Sequence, residues 1–465
     1  MELLSRLRAA LGEKAVLTDP ADRAPFETDW RQVVKQPARC VVLPETTAQV
    51  AEAVRLCAAA GCAIVPQGGN TGLVAGAVPV AGRPQIVLNL GRMRQIRAVD
   101  RIGDTLTAEA GVTLHAVQEA AAAAGRLFPV SLAAEGTAQL GGVISTNAGG
   151  LQVLSYGSMR AQVLGLEVVL ADGRVWDGLR ALRKDNTGFD LKQLFIGGEG
   201  LLGIVTAATL RLHPAVTARA TALLGTESAG SALAIFQALR GRAGAALTLC
   251  EFMSGPAFAL SLADADAAPP FQAPCYMLVE LCAHGPDPDP GPVLEAALAE
   301  AIEAGHASDA VIAQSERERS RFHALREGIS EGELKSGGAV KHDIAVPLQL
   351  LAETVAAAEA LVAEKFPDCR LSIFGHLGDG NLHVNIRPPE GRTLAALDDR
   401  KAAITEAVES LAVARGGSFS AEHGIGQLRL AGMAAHKSPI ELELMRKLKH
   451  ALDPQDLLNP GKMLP

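Results

Sequence analysis

The chain has 465 residues, 48% of them hydrophobic and only 3% aromatic, enough for two or three domains packed mainly from Ala, Leu and Val. A formal charge of −8 with no run of Lys and Arg excludes a nucleic-acid binder, which needs a basic stripe to neutralise phosphates. No window approaches about 18 uncharged apolar residues, so no transmembrane segment is expected. The seven cysteines (Cys40, Cys57, Cys62, Cys250, Cys275, Cys282, Cys369) form no CxxC pair, which excludes a disulfide framework and an iron–sulfur cluster. Reduced thiols lead to the expectation of a cytoplasmic protein.

Leu3, Leu4, Leu7 and Leu11 share one face of an amphipathic helix, and Arg6, Arg8 and Glu13 deny this segment the apolar run of a signal peptide. From Arg39 to about Pro214, short β-rich runs alternate with Ala-rich helices. Residues 40–43 read as a strand, and 47–60 as a helix capped by Thr46 or Thr47. Residues 63–65 read as a strand entering a glycine-rich loop over 66–76, and 86–90 as another strand. A helix over 112–124 stops at Gly125, and strands follow at 164–170 and 204–212. Further on come a strand at 275–281, a Pro- and Asp-rich loop over 284–292, and a helix over 291–304. A long Ala-rich helix over 347–365 and an amphipathic one over 440–451 complete an α+β pattern.

Two glycine loops have the composition of phosphate cradles. Pro66-Gln67-Gly68-Gly69-Asn70-Thr71-Gly72 follows a strand, and Gly141-Gly142-Val143-Ile144-Ser145-Thr146-Asn147-Ala148-Gly149-Gly150 offers the same chemistry. Consecutive backbone N–H groups can converge on an anion where glycine permits close approach, and two such loops suit a dinucleotide. Plain tight turns fit the same letters. Gly198-Glu199-Gly200-Leu201-Leu202-Gly203 matches the G-x-G-x-x-G fingerprint, which requires a helix to start within it. Here the β-branched run Ile204-Val205-Thr206 follows and favours a strand, so a nicotinamide Rossmann domain is rejected.

The most informative stretch is His376-Leu377-Gly378-Asp379-Gly380-Asn381-Leu382-His383. Read as a two-residue Asp-Gly hairpin, it pairs Leu377 with Leu382 and sets His376 opposite His383. Directly paired Cβ atoms lie about 5 Å apart on one face, so two imidazoles can share a metal ion. Asn385 then falls on the same face as His383. Glu422 could complete a two-His, one-carboxylate set with open positions, and His423 would be left to act as a base. A purely structural turn fits the same residues.

Taken together, the chain resembles the FAD-dependent D-2-hydroxy acid dehydrogenases of the vanillyl-alcohol oxidase (PCMH-type) flavoprotein superfamily, and among them those acting on D-2-hydroxyglutarate. The resemblance covers about residues 39–465. It rests on PQGGNTG, KDNTGFDLKQLFIGGEG at 184–200, GHLGDGNLHVN at 375–385, SAEHGIG at 420–426 and the C-terminal LDPQDLLNPGKMLP. It implies a PCMH-type two-subdomain FAD-binding domain over 1–215. A substrate (cap) domain with an antiparallel sheet would cover 216–420, and a helical C-terminal segment over 421–465 would return to the FAD domain. It also implies FAD contacts from the two glycine loops, with Pro129, Ser131, Gly136 and Thr137 nearby, and from Glu199, Gly203, Ile204, Val205 and Asn459. Asn70-Thr71 stand where relatives with covalent flavin often carry a histidine, which implies non-covalent FAD.

By the same resemblance His376, His383 and Glu422 would hold zinc, manganese or another divalent ion, His423 would be the general base, and Asn385 a substrate contact. Arg326, Ser330 and Lys341 would grip a substrate carboxylate. Arg326 and Ser330 are spaced one helical turn apart; Ser330 departs from the threonine expected there. The implied reaction oxidises a D-2-hydroxy acid, with D-2-hydroxyglutarate going to 2-oxoglutarate. An electron-transfer flavoprotein or quinone would take the electrons. A homodimer is left open. D-lactate or glycolate dehydrogenation, or oxidase activity with oxygen, are the alternatives.

Overall fold

Alternating buried positions and capped helices turn these patterns into two units. The computed structural model describes residues 2–286 and 289–465; of the loop expected over 284–292, residues 287 and 288 lie outside the described residues. One unit comprises residues 1–150, 157–215 and 422–465, the other residues 151–156 and 216–421.

In the first unit, β1 (Val16–Leu17), β2 (Val41–Val42), β3 (Ala63–Gln67) and β4 (Gln85–Asn89) form a sheet in the order β1-β2-β4-β3, with β2, β4 and β3 parallel. The helix Thr47–Ala59 starts where the Thr46 side chain accepts from the Gln49 N–H, which satisfies an end donor that would otherwise be orphaned. It packs Val50, Val54 and Cys57 into a core shared with Leu3, Leu7 and Leu11 of the helix Glu2–Leu11. The open edge of β3 is covered by a distant segment: Ile64 donates to Leu457 O at 2.8 Å and accepts from the Asn459 N–H at 2.7 Å.

A second sheet in this unit has the order β5-β6-β10-β8-β9, built from β5 (Ile96–Asp100), β6 (Thr105–Glu109), β8 (Val163–Val169), β9 (Val175–Gly178) and β10 (Ile204–Arg211). A small ribbon pairs β7 (Arg126–Leu127) with β11 (His213–Pro214). The residues after Gly203 are thus a strand, as the β-branched run predicts. The second glycine stretch departs from expectation: Leu140–Ser145 is a short helix rather than loop.

The second unit is built on a seven-stranded antiparallel sheet in the order β15-β12-β14-β13-β17-β18-β16. Its strands are β12 (Ala218–Thr226), β13 (Leu247–Ser254), β14 (Cys275–Ala283), β15 (Ala307–Ile312), β16 (Asp343–Ala345), β17 (Arg370–His376) and β18 (Asn381–Arg387). Alternate side chains serve two cores. Phe252, Met277, Ile373 and Val384 face the helices Ala229–Ala243, Gly291–Glu303, Leu351–Lys365 and Lys401–Val413. Leu249, Met253, Tyr276 and Phe374 face the helices Gly255–Asp264, Glu316–Glu327 and Ile329–Lys335. The second face also carries the polar residues described below.

Candidate functional site

In the first unit β3 delivers Pro66 and Gln67 to the edge of a cavity of about 680 Å³, within the size range of cofactor pockets. Buried amides brace the loop. Gln67 Nε2 donates to Phe26 O and Ala77 O at 2.9 and 2.8 Å, and Asn89 Nδ2 donates to Gln67 Oε1 at 3.0 Å and to Gly68 O at 2.9 Å. Gly69 is obligatory, because a Cβ there would stand 2.0 Å from Thr137 O. Asn70, at φ 54°, donates from its side chain to Thr28 O at 2.8 Å.

Pro66, Gln67, Gly68, Gly69, Asn70, Thr71 and Gly72 all line the cavity, with Gly136, Thr137, Gly141, Gly142, Thr146 and Gly149. Glu199, Gly203, Ile204 and Val205 line it too. At Gly72, Gly136 and Gly142, which line the cavity, an added Cβ would meet nothing within 4 Å. Such a backbone-lined hollow fits a flavin dinucleotide. Five predicted contacts stand behind the lining instead. Pro129 is buried, Ser131 Oγ donates to Glu135, and Asn147 Oδ1 accepts from Ser158 Oγ and the Arg160 N–H. Gly150 packs on Ser131 O and its N–H donates to Glu422 Oε1 at 3.3 Å, while Asn459 Nδ2 donates to Gly76 O and Glu199 O. Their polar groups are spent on the wall. Trp30, Leu132 and Gln139 line the cavity without having been anticipated.

Glu422 and His423 also line this cavity. Gly424 and Gly426, both at positive φ, wrap the backbone around the Glu199 carboxylate, which accepts from the Ile425 N–H at 2.7 Å and the Gly426 N–H at 2.8 Å. A Cβ at Gly424 would lie 2.6 Å from Glu199 Oε1. Burial pushes the Glu199 carboxyl up, against those N–H donors and the Lys462 charge. Lys462, 1% exposed, is brought down to about 7 by burial, with Glu199 opposing.

In the second unit the histidine stretch is not a two-residue hairpin. Phe374, not His376, stands opposite His383, and His376 lies opposite Glu251 of the neighbouring β13. The chain needs a longer turn because Gly375 is at φ 155° and Leu377–Asp379 coils as a 3₁₀ turn. Gly380 then closes it left-handed, where a Cβ would sit 2.3 Å from Val346 O. The two rings still meet, with centroids 6.0 Å apart and a nitrogen of each within 4.8 Å of the other.

Glu251 is 1% exposed; its Oε1 takes His376 Nδ1 at 2.6 Å and its Oε2 takes Arg326 Nε at 2.6 Å. Burial pushes this carboxyl up, but the charges and hydrogen bonds of His376 and Arg326 outweigh it and hold it at about 2. A hydrogen bond from Nδ1 assigns the imidazole lone pair to Nε2, the usual preparation of a metal-ligating histidine. His383 Nδ1 lies 3.9 Å from Asp343 Oδ1, and Asp343 pairs with His383 across the sheet. Ser420 forms a parallel bridge with Asp343, and the Ala421 N–H donates to Asp343 O at 3.1 Å. Glu422 is the next residue along the chain.

Arg326 and Ser330 do not share one helix, because Glu316–Glu327 ends at Gly328 and Ile329–Lys335 begins afresh. Arg326 is buried and stacks 4.9 Å above the Phe374 ring, whereas Ser330 is exposed. Among the described residues no hydrogen bond reaches the Nη1 or Nη2 of Arg326. Lys341 Nζ stands 3.5 Å from Oε2 of Glu333, which is fully buried. Asn385 Nδ2 contacts both Glu333 oxygens at 3.0 Å, and its Oδ1 accepts from the His342 N–H. Asn385 therefore serves the framework. Glu251 and Glu333 were not anticipated from the sequence.

Residues 216–463 match the family model "FAD linked oxidases, C-terminal domain", and residues 38–178 match "FAD binding domain". The chain is 38% identical to the mitochondrial D-2-hydroxyglutarate dehydrogenase of Bos taurus, over 97% of this chain and 81% of that protein. It is 37% identical to the D-2-hydroxyglutarate dehydrogenase of Xanthomonas citri pv. viticola, over 98% and 96%. A Schizosaccharomyces pombe relative, also 37% identical over 96% and 85%, carries a provisional D-lactate dehydrogenase name. In fold it is similar to p-cresol methylhydroxylase, with a TM-score of 0.75 and 17% identity over 99% of this chain and 96% of that one.

The cytoplasmic expectation does not stand: the cattle, rice, rat and fission-yeast relatives are mitochondrial by name, although the bacterial one names no compartment. Unpaired cysteines indicate only a reducing milieu and cannot select one compartment. No helix among the described residues is long and apolar enough to cross a membrane. The matches across both halves show that the chain belongs to the FAD-linked oxidase family, as an FAD-dependent 2-hydroxy acid dehydrogenase.

Proposed function

We propose that the protein oxidises D-2-hydroxyglutarate to 2-oxoglutarate, using non-covalent FAD and a divalent cation. The substrate class is carried by Arg326, a buried guanidinium tied down through Nε with, among the described residues, no hydrogen bond to either Nη, and the choice of D-2-hydroxyglutarate is supported by the relatives of that name. That fork fits a carboxylate in bidentate fashion. Non-covalent flavin is supported by the first loop, which offers Asn70-Thr71 where relatives with covalent flavin often carry a histidine.

When bound, FAD supplies the hydride acceptor, and a cation on two imidazoles and one carboxylate, zinc above all, supplies Lewis-acid polarisation of the hydroxyl. His376, His383 and Glu422 are the residues that would hold that ion. His423 accepts the hydroxyl proton, help worth about 10²–10⁴-fold in rate. Arg326 and Lys341 orient the substrate carboxylate, and Asn385 braces the Glu333 carboxylate beside Lys341; that grip selects one face of the Cα–H bond and hence the D enantiomer. A separate electron-transfer protein or quinone receives the electrons.

The experiment is anaerobic bleaching of the flavin by D-2-hydroxyglutarate, D-malate, D-lactate and glycolate in separate reactions. D-2-hydroxyglutarate should bleach fastest; equal or faster bleaching by D-lactate would overturn the assignment in favour of a monocarboxylate. His423→Ala should retain flavin and lose about 10²–10⁴-fold in kcat, and unchanged turnover would remove His423 from the chemistry.

A further inference from the structure

Glu251 occupies the middle of β13, a strand with every residue buried (Leu-Thr-Leu-Cys-Glu-Phe-Met-Ser). A carboxylate taken out of water costs several kcal/mol unless it is paired, and apolar residues of similar volume often serve stability better. Packing alone therefore does not explain it.

Docking of the neighbouring helix does not explain it either. On helix Glu316–Glu327, Arg319, His323 and Arg326 recur at i, i+4 and i+7, one face. Glu280, on the adjacent strand β14, already takes Arg319 Nε at 2.6 Å, Arg319 Nη2 at 3.1 Å and His323 Nε2 at 3.2 Å, and accepts from Thr221 Oγ1. The helix is pinned without Glu251. What Glu251 adds is a link between two other elements. One oxygen holds His376 at the end of β17, and the other holds Arg326.

We infer that Glu251 is the positioning residue of the site, a single carboxylate that sets both the imidazole presented to the cation and the guanidinium presented to the substrate's carboxylate. This rests on the function proposed above. The bond to Nδ1 fixes ring plane and tautomer, which places the lone pair of Nε2. The bond to Nε leaves the Arg326 fork rigid, with its two terminal nitrogens aimed together. Cation affinity and substrate affinity then depend on one buried side chain that touches neither ligand.

Glu251→Gln tests this in the flavin-loaded enzyme, because an amide keeps an acceptor for one donor and turns N–H groups toward the other. Zinc dissociation is measured by competition with a chromophoric chelator, alongside kcat, KM and bound flavin. The expected result is a zinc Kd raised about 10–100-fold with KM for D-2-hydroxyglutarate raised as well, flavin content unchanged, and partial recovery of both in Glu251→Asp. Wild-type zinc affinity in Glu251→Gln would overturn the inference while leaving the metal site intact. Wild-type enzyme that takes up no ion would overturn the metal assignment itself, a separate failure. Loss of flavin and secondary structure in both variants would mark Glu251 as merely structural and also refute the inference.

Discussion

Replacing Lys462 by methionine should remove a pH dependence from the stability of the flavin unit. Lys462 is 1% exposed, and its Nζ donates to Asn459 Oδ1 at 2.5 Å. Burial brings its pKa from 10.5 down to about 7. A base with a depressed folded-state pKa binds its proton more weakly in the native protein, so the unfolded chain carries the extra proton between about pH 7 and pH 10.5. Stability then rises with pH across that window, and the full penalty is present below it. With those two values, the Lys462 contribution is about 2–3 kcal/mol more favourable at pH 9 than at pH 6. Methionine keeps the length of the side chain and cannot titrate. Urea denaturation at both pH values, followed by flavin fluorescence and circular dichroism, gives the difference between wild type and Lys462→Met. That difference should shrink by about 2–3 kcal/mol from pH 6 to pH 9. Parallel pH profiles for the two proteins would refute the reasoning, because Lys462 would then not change protonation in this range.

Gly142→Leu should leave secondary structure intact and weaken FAD binding by about 10–100-fold, since the side chain enters open cavity space. Gly69→Ala should fail at folding instead, with its Cβ 2.0 Å from Thr137 O; soluble apoprotein from Gly69→Ala or full flavin in Gly142→Leu would contradict this division. Lys449 Nζ serves Leu201 O, Leu458 O and the buried Asp453 carboxylate. Lys449→Met should therefore cost about 3–5 kcal/mol, and the exposed control Lys447→Met under about 0.5 kcal/mol, in denaturation midpoints at equal flavin.

Much of the chemistry was legible in the sequence because it is local. Pro66 to Gly72 carries its own turn-forming residues, and the run after Gly203 declared a strand by β-branching alone. The failures are contacts that no local pattern encodes. His376 finds Glu251, 125 residues earlier in the chain, so spacing within the histidine stretch could not predict which strand it would face. Gly375 and Gly380 stand where a Cβ would meet Asn381 O at 2.4 Å and Val346 O at 2.3 Å, and the second of these neighbours is supplied by the tertiary fold. Arg326 and Ser330 have helical spacing, yet one helix ends at Gly328 and another begins at Ile329. One signal is nonetheless present in the sequence. Glu251 and Glu280 are lone carboxylates within otherwise apolar strand runs, and such residues seldom remain buried without committed partners.

The pairing of Ile64 with Leu457 and Asn459 also constrains biosynthesis. Between positions 64 and 458 the ribosome must add 394 residues (458 − 64), roughly 20–80 s at ordinary translation speeds. Throughout that interval the nascent polypeptide displays an unzipped β edge, a template for association with other emerging chains. Completion of the flavin compartment is thus a late event of maturation.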